Sequence, residues 1–162
     1  MKNNFLLLVS FLALFSCSTS PYLGIVGETA TIKVVEADMD YLSRIDTGAK
    51  STSIHATNIK IKNDSAKKKE NIGKNITFTT TNAQNKTQVV SAKIVDVSTV
   101  KNSQGVEQRY IVEMTLRYKG RDKKIMVNLR NRSEMTYKLL IGRNWLAGDY
   151  LVDVTKKAEV EK

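Results

Sequence analysis

Hydrophobic and polar residues alternate along much of the chain with the period of two that half-buried strands require. The clearest run spans residues 108–119. Its apolar face consists of Tyr110, Val112, Met114, Leu116 and Tyr118. A second alternating run at 125–129 follows a turn-like break at 119–122, so the two runs predict a β-hairpin.

Weaker alternation of the same kind predicts four further strands. They lie at 30–35, 53–62, 76–81 and 88–97. No long segment has helical spacing, and the one proline, Pro21, precedes all of these strands. Six or more short strands within about 125 residues favour a small barrel or sandwich. The polar, basic segment 62–75 is predicted to be a solvated loop, and residues 156–162 a charged tail.

The N-terminus has the pattern of an export signal. Lys2 precedes an apolar run over residues 5–15, and such a run is too short to be a bilayer-spanning helix of roughly 20 residues. The single cysteine, Cys17, ends the run. This arrangement resembles a bacterial lipoprotein signal, with an ordinary secretory signal and an incidental cysteine as the alternative.

The lipoprotein resemblance implies that residues 1–16 are removed and that the Cys17 thiol is acylated. Residues 17–28 are then a lipidated tether for a domain at 29–155. Ser18, which follows the cysteine where no aspartate stands, resembles the pattern of outer-membrane sorting. We therefore expect a protein of the bacterial cell envelope, anchored in the outer membrane and facing the periplasm.

The length of 162 residues allows one ordinary domain. Lys and Arg number 26 against 16 Asp and Glu, and the net charge of +10 favours an anionic partner such as nucleic acid, an acidic peptide or lipid headgroups. Nucleic acid is the weakest of these, because no aromatic platform or reading helix accompanies the basic residues and the chain carries an export signal.

One cysteine and one histidine exclude a closed zinc site within one chain, and one cysteine excludes an internal disulfide.

Two short segments carry the candidate chemistry. Asp46-Thr47-Gly48 follows a predicted strand, and an aspartic protease uses this sequence because glycine lets the backbone approach the carboxylate while the Thr hydroxyl braces the loop. The second segment is a hydrophobic strand that runs into Gly142 and a predicted short helix. In retropepsins an Asp-Thr-Gly-Ala loop packs against a later Ile-Gly-Arg-Asn segment, and both occur here in that order.

Residues 46–56 (DTGAKSTSIHA), 100–113 and 131–146 resemble the retropepsin-like family whose members are often named ATP-dependent zinc proteases. The resemblance implies an all-β fold, a small closed barrel with one short C-terminal helix. It implies catalysis by Asp46 with Thr47 and Gly48. Four residues would support this loop: Ile141, Gly142, Arg143 and Asn144. Some members are associated with the glutamate-ligase system that modifies a ribosomal protein, which suggests acidic peptides as substrates.

Seven further residues are candidates for contact with a peptide or protein substrate. They are Ala49, Lys50, Ser51, Ser53, His55, Arg109 and Arg132. The first five follow the catalytic loop, although strand alternation would turn about half of them away from the cleft. The two arginines match family positions and would suit an acidic substrate, and a role on the solvated surface is an equal alternative.

The sequence does not support the ATP or zinc in the family's common name. A phosphate-binding GxxxxGK[ST] loop is absent, and so is the HExxH motif of zinc hydrolases, since His55 is the sole histidine. We therefore expect no cofactor and no metal.

An aspartic protease needs two carboxylates, one ionised to activate water and one protonated to polarise the scissile carbonyl. Only Asp46 is followed by Thr or Ser and then Gly. We therefore predict a homodimer in which two copies of Asp46 meet at a two-fold axis and hydrolyse peptide bonds. The alternative is a non-catalytic lipoprotein of the same fold that binds an anionic envelope component, which a strictly monomeric protein would favour.

Overall fold

The computed structural model describes residues 24–102 and 105–158. The described chain forms eleven strands, one α-helix and two 3-10 helices at Val35–Ala37 and Lys68–Asn71. The strands are β1 (Gly24–Gly27), β2 (Thr29–Val34), β3 (Met39–Ile45), β4 (Thr52–His55), β5 (Thr57–Ile61), β6 (Asn75–Thr81), β7 (Thr87–Asn102), β8 (Gly105–Tyr118), β9 (Arg121–Arg130), β10 (Leu139–Ile141) and β11 (Tyr150–Asp153). The helix α1 is Arg143–Leu146. Within these ranges no helix has the length and hydrophobicity needed to cross a membrane.

Six strands form a closed ring in the order β2, β3, β10, β4, β9 and β8. The ring closes because the end of β8 pairs with β2, with Leu116 opposite Val34. Strands β7, β6 and β5 continue the sheet outward from the other part of β8. The predicted all-β barrel with one short C-terminal helix is confirmed.

The β8–β9 hairpin follows the predicted alternation. Tyr110, Val112, Met114 and Leu116 are buried, whereas Glu113 and Arg117 between them are exposed. The turn between the two strands has two residues, whereas the break predicted at 119–122 has four. The two turn residues, Lys119 and Gly120, have φ of 48° and 76°, and two positive values in a two-residue turn match the twist of antiparallel strands.

The pairings of one short strand position the two segments that carry the candidate chemistry. The short strand β10 lies between β3, with which it is parallel, and β4, with which it is antiparallel. Ile141 therefore lies beside Ile45, and the chain leaves both strands at the same end of the ring. Burial of apolar side chains stabilises this arrangement, since Ile141 and Trp145 are almost fully buried.

Two predicted boundaries are wrong. The tether was assigned to 17–28, but residues 24–27 form β1, which pairs in parallel with β11 and buries Val26 in the core. The charged tail was assigned to 156–162, but its first three residues pack on the domain. The Lys156 carbonyl accepts a hydrogen bond of 2.7 Å from Glu28 N–H, and the Ala158 N–H donates to Thr29 Oγ1. The predicted signal at 1–16 and the acylated Cys17 lie outside the described residues.

The segments 53–62 and 62–75 also differ from expectation. The first is divided at Ala56, because β4 belongs to the closed ring whereas β5 pairs with β6 at the edge of the sheet. The second is anchored rather than fully solvated. Asn71 is completely buried and donates a hydrogen bond of 2.9 Å to the hydroxyl of Tyr110, and Lys68 Nζ lies 4.4 Å from the centre of the same ring.

Candidate active site

The Asp46 loop begins where β3 ends. The Asp46 N–H donates to the Ile141 carbonyl at 2.9 Å, which fixes the loop to β10. The carboxylate oxygen Oδ1 accepts hydrogen bonds from the N–H groups of Gly48 at 2.9 Å and Ala49 at 3.1 Å. Oδ2 makes no hydrogen bond to the described residues. The loop thus holds one oxygen of the carboxylate in place and leaves the other available.

Gly142 lets the second segment pack directly on the loop that follows Asp46. A Cβ at this position would lie 2.5 Å from the carbonyl carbon of Ser51, which is closer than any side chain could approach. Beyond Gly142, the Arg143 N–H donates to the Ala49 carbonyl at 2.9 Å, and Arg143 Nη1 donates to the Thr47 carbonyl at 3.3 Å. Arg143 therefore braces the loop through main-chain carbonyls.

Asn144 and Thr52 tie the same segments together beneath the loop. Asn144 Oδ1 accepts hydrogen bonds from Thr52 N–H at 2.8 Å and from Thr52 Oγ1 at 2.9 Å. Thr52 Oγ1 in turn accepts the Gly142 N–H at 3.1 Å, and Asn144 Nδ2 donates to the Met126 carbonyl. Thr52 is fully buried and was not among the predicted site residues. Thr, Ser and His occupy three of the four positions of β4, so no local pattern distinguishes Thr52 from its neighbours.

A buried guanidinium lies near this loop. Arg132 is only 5% exposed, donates from Nη1 to Ser53 Oγ at 3.1 Å, and donates from Nε to the Tyr137 carbonyl at 2.9 Å. No carboxylate of the described chain forms an ion pair with it. Burial, with the neighbouring charges of Arg130 and Arg109, lowers the pKa of Arg132 to about 10, while the negative charge of Asp46 acts in the opposite direction.

Arg109 adds a second buried cation. Its side chain is 10% exposed and forms an ion pair of 2.5 Å with Glu107, yet its Nε is buried without a hydrogen-bond partner in the described chain. The pairing lowers the pKa of Glu107, with the hydrogen bond from Arg109 as the largest cause. The charges of Arg109 and Arg130 act on Arg132, and we call these three residues the arginine cluster.

Lys138 supports the segment that carries Arg132. Its Nζ donates to the carbonyls of Arg132, Ser133 and Met135 at 3.2, 2.6 and 2.9 Å. This explains a basic residue directly before the buried strand β10, where an apolar one would be expected. Its charge also acts on His55, whose pKa is lowered by burial first and then by Lys138 and Arg132.

The family comparison agrees with this geometry. A family model described as "RimB-like: Retropepsin-like aspartic endopeptidase RimB" matches residues 25–162. The chain belongs to the RimB-like family. The predicted lipoprotein signal at 1–16 lies before the matched region.

Relatives of this RimB-like chain include larger proteins. It is 30% identical over 115 residues to a Shewanella halifaxensis protein named "Probable alpha-L-glutamate ligase", covering 68% of this chain and 24% of that protein. A protein of the same name from Parasynechococcus marenigrum is 32% identical over 116 residues, covering 68% and 23%. The chain thus spans about a quarter of the length of these relatives.

A solved structure shares the fold. The crystal structure of a Legionella pneumophila protein of unknown function superposes with a TM-score of 0.67 at 25% sequence identity. The match covers 83% of this RimB-like chain and 96% of the Legionella chain.

The structure brings most of the predicted site residues of this RimB-like chain into one region, in different roles. Ala49 and Ser51 contribute main-chain contacts to Arg143 and Gly142, and Ser53 and His55 hold Arg132. The exposed Lys50 forms no ion pair within the described residues. Arg130 and Lys138 were missed by sequence reasoning.

Thr47 differs from its predicted role. Its hydroxyl was expected to brace the loop, but it makes no hydrogen bond to the described chain, and the loop is held through the Thr47 carbonyl instead. The side chain is exposed beside Gly48 at the surface. This part of the loop is therefore available for contact with another molecule.

Four other aspartates of the RimB-like chain are engaged elsewhere. Asp122 pairs with Arg117 and Asp149 with Lys123, while Asp96 accepts from the N–H of Val97 and Asp153 from Thr155. Within residues 24–102 and 105–158, no group of three or more His, Cys, Asp or Glu side chains is placed to hold a metal ion.

Proposed function

We propose that this chain is a homodimeric aspartic endopeptidase of the bacterial cell envelope that hydrolyses acidic peptides. One observation carries the proposal. The Asp46 carboxylate is held through Oδ1 by two main-chain N–H groups, while Oδ2 is left without a partner in the described chain. The loop that carries this carboxylate is also held by hydrogen bonds to Ile141 in β10 and Arg143 in α1. A carboxylate that only capped a turn would not need these additional contacts.

The reaction would use two Asp46 carboxylates that share one proton, because two such groups a few ångström apart cannot both ionise. The ionised carboxylate removes a proton from water as the oxygen attacks the peptide carbonyl carbon. The protonated carboxylate donates its proton to the carbonyl oxygen. Collapse of the tetrahedral intermediate then breaks the C–N bond as the amine takes up a proton, without a covalent enzyme intermediate.

Dimerisation would supply the second carboxylate. Four of the other aspartates, Asp96, Asp122, Asp149 and Asp153, already have partners of their own, as described above. The exposed Thr47 and Gly48 leave the loop open to a second copy. A two-fold axis beside this loop would place the partner subunit's Asp46 opposite Asp46 with no further residue required.

The arginine cluster supports an acidic substrate. Arg132 is a buried cation without a carboxylate partner in the described chain, and the buried Nε of Arg109 has an unused donor. A substrate carboxylate would supply the missing charge and hydrogen bonds. The glutamate in the name of the larger relatives fits the same chemistry.

The envelope location rests on the proposed acylation of Cys17. An anchored enzyme facing the periplasm would meet envelope proteins and their acidic segments, and it would not meet a cytosolic ribosomal protein. Mass spectrometry of the mature chain tests this part separately, since acylation adds a defined mass to the N-terminal peptide that begins with Cys17.

The decisive experiment compares wild type with Asp46→Asn on a mixed peptide library from about pH 4 to about pH 7, with cleavage monitored by mass spectrometry. An Asn oxygen can still accept from Gly48 and Ala49, so the loop should keep its shape while the proton chemistry is lost. We expect cleavage by wild type alone, enriched beside Glu and Asp. A folded dimeric wild-type protein that cleaves nothing would favour the binding function instead.

A further inference from the structure

The sheet formed by β1 and β11 has an outward face that combines apolar and cationic groups. Ile25 and Leu151 are register neighbours, and each is 48% exposed. Beside them, Gly24, Ile25, Tyr118, Lys119, Arg121 and Tyr150 line a shallow cavity of about 150 Å³. Exposed branched aliphatic side chains next to unpaired cations and aromatic rings are typical of surfaces that bind a bilayer.

The charges on this face are positive and uncompensated. Neither Lys119 nor Arg121 forms an ion pair with a carboxylate of the described chain. The nearby acids are already neutralised, since Asp149 pairs with Lys123 and Asp153 with Lys156. Lys119 Nζ lies 5.4 Å from the centre of the Tyr118 ring, so its aliphatic stem covers aromatic surface while the ammonium stays in water.

The described chain also begins on this face. Gly24 lines the cavity, and only residues 18–23 separate it from Cys17. A chain of that length extends at most about 25 Å, so an acyl group on Cys17 would hold the face within that distance of the membrane. A second copy of the protein suits the face less well, because a two-fold axis there would bring four like charges together.

We propose that the face formed by Ile25, Leu151, Lys119 and Arg121 binds an anionic lipid bilayer and orients the domain on the membrane. The proposal rests on acylation of Cys17 and is independent of peptidase activity. The lipid on Cys17 supplies attachment, and the face supplies a second, electrostatic and apolar contact that fixes the orientation of the domain.

The test uses the full acylated chain in vesicles of brominated phosphatidylcholine, with or without a quarter of phosphatidylglycerol. Tryptophan is introduced by Leu151→Trp, and by Val89→Trp as a control on β7, where Val89 is 63% exposed and thus more accessible than Leu151. The signal of native Trp145, measured in wild type, is subtracted. On anionic vesicles we expect the tryptophan at position 151 to be quenched at least about twofold more than that at 89.

Charge variants in the Leu151→Trp background identify the lipid contact. Lys119→Glu with Arg121→Glu should abolish the extra quenching, while the matched pair Lys60→Glu with Lys93→Glu should preserve it at the same net charge. Equal quenching at positions 151 and 89, or no dependence on phosphatidylglycerol, would overturn the proposal. A tryptophan at 151 shielded from both lipid bromine and aqueous iodide would instead show that a second copy covers the face.

A chain that mass spectrometry shows to be unacylated at Cys17 would also overturn the proposal, because nothing would then hold this face near a bilayer. Peptide cleavage that depends on Asp46 would be unaffected by that result. The two proposals therefore fail separately.

Discussion

The backbone N–H of Arg132 donates a hydrogen bond of 3.0 Å to Nδ1 of His55, from a position 77 residues away in the sequence. The bond requires a neutral imidazole, because a protonated Nδ1 carries a hydrogen and cannot accept. Burial, followed by the charges of Lys138 and Arg132, lowers the pKa of His55. The protonation state of His55 is thereby coupled to the position of the segment that carries Arg132.

Acidification should therefore destabilise the fold through His55. The unfolded chain binds this proton near the ordinary histidine pKa of about 6.5, whereas the folded chain binds it only at lower pH. The unfolded state then holds more protons in this range, so the free energy of unfolding falls as pH drops below about 6.5 and is retained above it. Urea unfolding at about pH 5.5 and about pH 7.5 measures the difference.

The matched variant is His55→Asn, whose side-chain oxygen can accept the same hydrogen bond without titrating. Its free energy of unfolding should depend less on pH over this interval than that of wild type. The same pH dependence in both proteins would show that His55 does not couple protonation to folding.

Replacement of Gly142 should strain the loop that supports Asp46. In Gly142→Ala the new Cβ would meet the Ser51 main chain at 2.5 Å, and main-chain atoms cannot rotate away as a side chain can. We expect a loss of about 1–3 kcal/mol or more in the free energy of unfolding, measured with urea. Gly24→Ala is the control, because nothing lies within 4 Å of its Cβ, and a similar loss there would contradict the steric explanation.

Sequence patterns predicted the parts of this molecule that depend on local order. The alternation of Tyr110, Val112, Met114 and Leu116 marked the strand β8, because a strand that is half-buried must turn every second side chain inward. Packing of the Asp46 loop on the segment around Gly142 was expected from the resemblance to retropepsins and not from local order, and the Asp46 N–H bonds to the Ile141 carbonyl in that segment.

The remaining features depend on contacts between residues far apart in the sequence. Nothing near Thr52 indicates that its hydroxyl will bond to Asn144, 92 residues later. The sequence around Lys138 likewise shows a basic residue before a strand, but it does not indicate that Lys138 will bind three main-chain carbonyls. The division of 53–62 at Ala56 arises because its two halves join different partners, which local alternation does not reveal.

Removal of the Asn144 side chain should loosen the active-site support. Asn144→Ala leaves the Thr52 N–H and hydroxyl and the Met126 carbonyl without their partner. Unsatisfied groups of this kind cost about 1–3 kcal/mol, and we expect a loss in that range with reduced peptidase activity. Asn75→Ala, at an exposed strand position, should change stability by less than about 0.5 kcal/mol in the same urea titration.

Mixing of subunits tests whether two chains share one dyad. Wild type and Asp46→Asn are unfolded together in equal amounts and refolded, so that chains pair at random. If only dimers with two intact Asp46 residues are active, the mixture should have about one quarter of the activity of wild type at the same total concentration. Independent active subunits would leave about one half.

Arg132 should contribute to substrate binding at the expense of stability. A buried cation without a carboxylate partner carries a desolvation penalty, and an apolar side chain of similar length removes it. Arg132→Met also loses the bonds to Ser53 and Tyr137, so we expect the free energy of unfolding to stay within about 1 kcal/mol of wild type or to increase.

For peptides with Glu beside the scissile bond, kcat/KM should fall by about tenfold or more, chiefly through KM. A neutral peptide is the control. If Arg132→Met cleaves it as well as wild type does, the loss is specific to acidic peptides and does not arise from damage to the Asp46 loop. An equal loss for acidic and neutral peptides would assign Arg132 to positioning of the loop, and the acidic substrate would then lose its main support.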